Sequence, residues 1–135
     1  MHILSTPVPA GSVALCHGDF HLGQLVRYPA AGGRWRLIDV DDLGTGDPAW
    51  DLARPAAWFA AGLLPAGDWH RLLHAYQAES GTAGEDPWPA LDGPARVLTA
   101  QCAARALVRD AASGRPPDTE DEALFMSCLR IAALP

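Results

Sequence analysis

Two short stretches place acidic and polar residues where the flanking chain is apolar. They are LCHGDFHLGQLV over residues 15–26 and LIDVDDLGTGDPAWDLA over residues 37–53. Asp19 follows an apolar run directly, Gln24 opens the next one, and Asp39 closes a third. If strand ends bring these three together, two carboxylates and an amide converge on one point. Such a set of oxygen donors suits Mg²⁺, a hard cation that accepts few protein ligands and keeps waters or phosphates. Phosphoryl transfer to a hydroxyl uses these parts: one carboxylate positions and deprotonates the hydroxyl, while a carboxylate and an amide hold metal ions that bridge the phosphates. In that division of labour Asp19 is the base, and Asp39 and Gln24 are the metal and nucleotide ligands.

Neighbouring polar residues carry two readings each. His17 either anchors the loop through hydrogen bonds or takes part in acid–base work. His21 packs or lines a substrate site. Asp41 and Asp42 are solvated turn carboxylates or substrate-lining groups. Asp47 precedes a proline and an apolar-periodic run, which makes it a helix cap. A different chemistry is written in the same residues, because His17, Asp19 and His21 alternate as H-x-D-x-H. On an extended strand that spacing puts three ligands on one face and suits a transition-metal hydrolase. Gly18 and Gly23 speak against an extended strand there.

The elements that must position these groups follow from hydrophobic period and turn residues. Val13–Cys16 and Gln24–Tyr28 read as strands, with a loop over His17–Gly23 between them. Pro29–Gly33 turns the chain, and Arg34–Ile38 returns as a strand, giving a hairpin. Beyond Asp47 the period becomes helical. Pro48 suits a first helical position, Leu52, Ala56 and Phe59 share a face, and Pro55 should kink or shorten the helix. A second helix is expected over Asp68–Glu79, with Trp69, Leu72, Leu73 and Tyr76 as its stripe. Ser80–Pro89 reads as a loop. A third helix runs from Leu91 or Pro94 to Ala112, stopped by Ser113-Gly114. A fourth begins at Asp118 or Thr119, where Thr119 and Glu122 have capping-box spacing, and buries Leu124, Phe125, Cys128 and Leu129. Trp50, Trp58, Trp69 and Trp88 are expected in the core or an interface. The whole, residues 1–135, is expected to be one α+β domain: a small β-hairpin with its loop on about four helices.

The run from His17 to Gln24 resembles the H-G-D-x-H-x-x-N catalytic loop of the aminoglycoside-phosphotransferase and choline-kinase superfamily. Ile38-Asp39, then Gly46-Asp47-Pro48 and Asp51-Leu52-Ala53, resembles that family's I-D…G-D-P-x-x-D-L-A segment. The order and separation of the blocks are family-like, and the resemblance covers Leu15 to Phe59. It implies a kinase-like larger lobe and an activity that transfers the γ-phosphate of ATP, with Mg²⁺, to a hydroxyl of a small molecule such as an aminoglycoside, amino alcohol or sugar. It implies that Asp19 is the catalytic aspartate, Asp39 a metal ligand, and Asp51 a brace for the loop's backbone N–H groups. Gln24 stands where the family usually has Asn, and H-G-D-x-H-L-G-Q is similar to the maltokinase subgroup.

Kinases of this kind also need a smaller lobe with a phosphate-covering loop and a strand lysine. All ten basic side chains here are arginines, with no lysine, and arginine replaces a compact ammonium poorly. The smaller lobe is therefore expected to be absent, so that an isolated chain turns over little. A truncated or split enzyme with the lobe on another polypeptide, a homo-oligomer, and an inactive binding module are the three explanations. A net charge of −6 argues against duplex nucleic acid and against a polybasic membrane contact. Cys16, Cys102 and Cys128 form no C-x-x-C pair and read as free thiols. No basic region followed by an apolar run opens the chain, and no apolar run approaches the roughly 20 residues of a membrane span. A cytoplasmic protein is the resulting expectation.

Overall fold

A computed structural model describes residues 13–134; the expectation about the opening residues 1–11 lies outside them. The described residues form an α+β structure with two small antiparallel sheets and four helices. Strand β1 (Ala14–Cys16) pairs with β4 (Gly44–Gly46), Cys16 lying opposite Gly44. Strand β2 (Leu25–Tyr28) pairs with β3 (Arg34–Leu37), Leu25 opposite Leu37. The expected hairpin is present. Its ladder is extended by Ile38 N–H donating to the Gln24 carbonyl at 2.9 Å. Gly33 closes the turn, where a Cβ would come within 2.0 Å of the Pro29 oxygen, so no other residue fits.

Strands β1 and β3 are each one residue shorter than expected, and two further differences stand out. Gln24 ends a 3₁₀ turn, Leu22–Gln24, and the strand begins one residue later. Strand β4 was not foreseen, since Gly-Thr-Gly has neither β propensity nor an apolar alternation. It forms because the turn Val40–Leu43, closed by Leu43 N–H to the Val40 carbonyl at 3.1 Å, returns the chain alongside β1.

The helices are α1 (Ala49–Ala60), α2 (Ala66–Ser80), α3 (Trp88–Ser113) and α4 (Thr119–Ala132). Helix α1 packs chiefly on α3, and α3 on α4. Leu52, Ala56 and Ala57 of α1 meet Trp69 and Leu73 of α2 and Leu91 and Ala95 of α3. The small alanines allow close helix approach, and Trp69, 1% exposed, fills the centre with Phe59 stacked on it at 5.5 Å. Trp58 and Trp88 are half-buried, whereas Trp50 is exposed.

Three helix expectations are corrected. Helix α1 is not cut short at Pro55 but runs on to Ala60, and α3 begins at Trp88, earlier than expected, and runs through Pro94. Each proline removes one backbone donor, yet packing of the flanking turns holds the helix. At α4 the capping box uses Asp118 and Asp121, one position before Thr119 and Glu122, so that Asp118 accepts from Asp121 N–H at 3.0 Å. On α4 Leu124 and Ser127 are buried, whereas Leu129, expected on the buried face, is exposed. Among the described residues no helix is long and apolar enough to cross a membrane.

Candidate active site

The loop between β1 and β2 is held from below by the first turns of α1. The Asp51 carboxylate accepts from the backbone N–H of His17 at 2.7 Å and of Gly18 at 3.0 Å. One turn further on, the Arg54 guanidinium donates to the Asp19 carboxylate at 2.6 Å. Residues three apart on a helix share a face, so one face of α1 grips both the loop's backbone and its acidic side chain. Asp47 sits at the start of that helix, and its carboxylate accepts from Ala49 N–H at 2.9 Å.

Gly18 lets the loop follow this path. Its φ is +90°, and a Cβ there would lie 2.6 Å from the Asp42 carbonyl oxygen. The glycine thus seats the loop against the Val40–Leu43 turn. Asp41 and Asp42 occupy the middle of that turn and are exposed.

His17 is 3% exposed, and its Nε2–H donates to the Ile38 carbonyl at 2.9 Å, tying the loop to the end of the hairpin. His21 Nδ1 accepts from Gly23 N–H at 3.1 Å and starts the 3₁₀ turn. That turn orients Gln24, whose buried side chain donates through Nε2 to the Asp39 carboxylate at 2.8 Å. Asp39 has φ +59°, a left-handed conformation uncommon for a residue with a Cβ. Such strain clusters at functional sites when the surroundings enforce it.

The structure therefore joins Gln24 to Asp39, Asp51 to the loop backbone, and Asp19 to Arg54. It gives His17, Asp19 and His21 three separate partners. Among the described residues no group of three or more His, Cys, Asp or Glu side chains could hold a metal ion. The Gln24–Asp39 pair leaves an amide oxygen and a second carboxylate oxygen, both hard donors that fit Mg²⁺ and not a soft metal. Arg54 is the residue that sequence reasoning missed. The available signal was its spacing of three from Asp51 on the same helix.

Next to the loop, Cys16 is buried in the β1–β4 sheet. Burial raises its thiol pKa, and the Asp51 carboxylate raises it further. Both effects disfavour the thiolate, the form that reacts.

An acidic loop between antiparallel strands, seated on the first turns of a helix, is an α+β arrangement compatible with a kinase-like fold. The chain belongs to the phosphotransferase enzyme family, whose model matches residues 2–94, more than half of the sequence. The match takes in both motif blocks, α1, α2 and the first turns of α3. No curated protein and no solved structure matches the chain.

Proposed function

We propose that this chain supplies the catalytic loop for transfer of the ATP γ-phosphate to a hydroxyl of a small molecule. The supporting observation is the double grip of α1, in which Asp51 fixes the loop backbone while Arg54 orients Asp19. Asp19 keeps one carboxylate oxygen outside that ion pair, and the side chain is 46% exposed. From there it accepts the acceptor's proton as the hydroxyl oxygen bonds to phosphorus and ADP leaves with the electron pair of the broken P–O bond. Asp39 and Gln24 are the residues that would hold Mg²⁺, which when bound neutralises phosphate charge. Their own work is to stay in register: the strand ladder fixes Gln24, and Gln24 fixes the Asp39 carboxylate.

The strand half exposes Trp35 and Leu37 on one face of the hairpin and Tyr28 on the other, with Ile38 and Val40 beyond β3. A second polypeptide surface, from a smaller lobe or another copy, would cover the Trp35 and Leu37 face and supply the phosphate-binding cation that a lysine-free chain lacks. A second reading, an inactive binding module on the same fold, draws on the Arg54–Asp19 ion pair, which occupies one oxygen of the base.

Calorimetric titration with Mg·ATP tests the first reading. The expected result is saturable binding that weakens at least ten-fold in Asp39→Ala and is unchanged in Asp19→Asn. Binding insensitive to Asp39→Ala, or no binding in any oligomeric state, overturns it in favour of the module.

A further inference from the structure

Between the acidic loop and the corner of α1 and α2 lies a cavity of about 280 Å³, at the lower edge of the size range of small-molecule sites. Its walls are apolar: Leu22 from the loop, Pro55 and Trp58 from α1, Leu64 from the connection and Leu72 from α2. Three ionisable side chains reach it, and each has a partner, while Arg54 Nε and the Trp58 indole Nε1–H are buried without one among the described residues. His21 accepts from Gly23 N–H, Arg54 holds Asp19, and Asp68 is paired with Arg71. Asp39, Gln24, Asp41 and Asp42 do not line it. The cavity is thus separate from the Gln24–Asp39 pair yet one ion pair away from Asp19, through Arg54.

The geometry points to an acceptor with an apolar body: an alcohol whose hydrocarbon or aromatic part fills this cavity and whose hydroxyl extends past Arg54 to Asp19. This rests on the phosphotransfer reading and narrows it. A sugar or aminosugar in the same space would surrender water to mostly apolar walls that have few hydrogen bonds to return, a net penalty for each buried hydroxyl or ammonium left unpaired. An apolar body gains from the same walls by leaving water. Asp68, the one carboxylate on the lining, is neutralised by Arg71 and offers little to a cationic acceptor. The exposed carboxylates of the Asp41–Asp42 turn do not line the cavity.

Binding is measured on the full chain without nucleotide, so that it succeeds or fails independently of the Mg·ATP titration. Trp58 supplies the reporter, since its indole Nε1–H is buried with no partner among the described residues. In ¹⁵N-labelled protein its indole resonance is identified by its loss in Trp58→Phe. Titration with 3-phenyl-1-propanol is expected to shift that resonance saturably, whereas glucosamine and choline leave it in place. Leu22 is exposed at the rim, so Leu22→Glu keeps the fold, judged by the remaining spectrum, and weakens alcohol binding at least ten-fold; Leu22→Ala weakens it less. Three results overturn the inference: no saturable shift with the alcohol, binding of glucosamine or choline as tight as the alcohol's, or alcohol binding untouched by Leu22→Glu.

Discussion

The helical half and the strand half of this molecule are held together by different physics. Residues 49–134 bury Trp69, Leu91, Ala53 and Ala56 almost completely, and their order comes from apolar area removed from water. Residues 13–46 bury little. All four residues of β3 are exposed, and Arg27 and Arg36 lie over the rings of Trp35 and Tyr28 in place of a packed core. Cross-strand backbone bonds and a few directional polar contacts hold this half, and two residues of α1 make three of those contacts. Apolar burial is strong but non-directional; hydrogen bonds to carboxylates are fewer but fix angles and distances. A rigid helical base that reaches up with Asp51 and Arg54 lets an otherwise thin loop hold its carboxylates in place.

If that division is right, the largest effect on the whole molecule comes from the helical core. Trp69→Ala should lower the global unfolding free energy by about 3–5 kcal/mol. Far-UV circular dichroism and strand-half amide signals should then be lost at the same denaturant concentration. Strand signals outlasting the helices would show that the thin half stands without its base. Next in size is Asp51→Ala, which strips the acceptor from two loop N–H groups. Hydrogen bonds to charged groups contribute about 1.5–3 kcal/mol, so hydrogen exchange at His17 and Gly18 should accelerate by roughly that free energy. Mg·ATP affinity should fall at least ten-fold, while the denaturation midpoint of the helices moves far less than in Trp69→Ala. An equal loss in both halves would erase the distinction.

Gly18→Ala sharpens the point at a single position. It imposes a left-handed backbone on a residue with a Cβ and a contact with Asp42, at a cost of about 1–3 kcal/mol. The loss should appear in Mg·ATP binding and in exchange of the Val40–Leu43 turn, with the α1–α3 amides unaffected. The smallest effect lies at the far end of the helical half. Hydrogen bonding from Arg109 holds the Asp121 carboxyl below the usual carboxylate range. A lowered folded pKa gives stability that is present above the ordinary carboxylate value and is lost as pH falls through the folded one. The melting difference between wild type and Arg109→Ala should therefore be constant near neutrality and shrink in acid. A difference that grows in acid would reverse the assignment.

Periodicity and spacing made much of this legible. The shift from short apolar runs to a helical stripe at Asp47 located the change from strands to helices, and the stripe Trp69, Leu73 and Tyr76 located the core of α2. The two motif blocks pointed to the phosphotransferase family, because phosphate chemistry needs acids at strand ends in a set order and that order survives in the chain itself. The misses have two causes. Pro55 and Pro94 break helices in isolation, but packing of the flanking turns outweighs a missing donor. The α4 cap slid by one residue because several acids there cap equally well.

Local order along the chain was enough to specify which residue types stand at the loop, where the helices lie and which family they belong to. The pairing of Asp19 with Arg54, the strand made of Gly44–Gly46, and the apolar cavity beside the loop were decided by tertiary structure alone. Asp19 and Arg54 lie 35 positions apart, and only the angle at which α1 leaves the strands brings a guanidinium to a carboxylate. No pattern of neighbours encodes that angle, because it is set by how the side chains of α1 and α3 pack around one another.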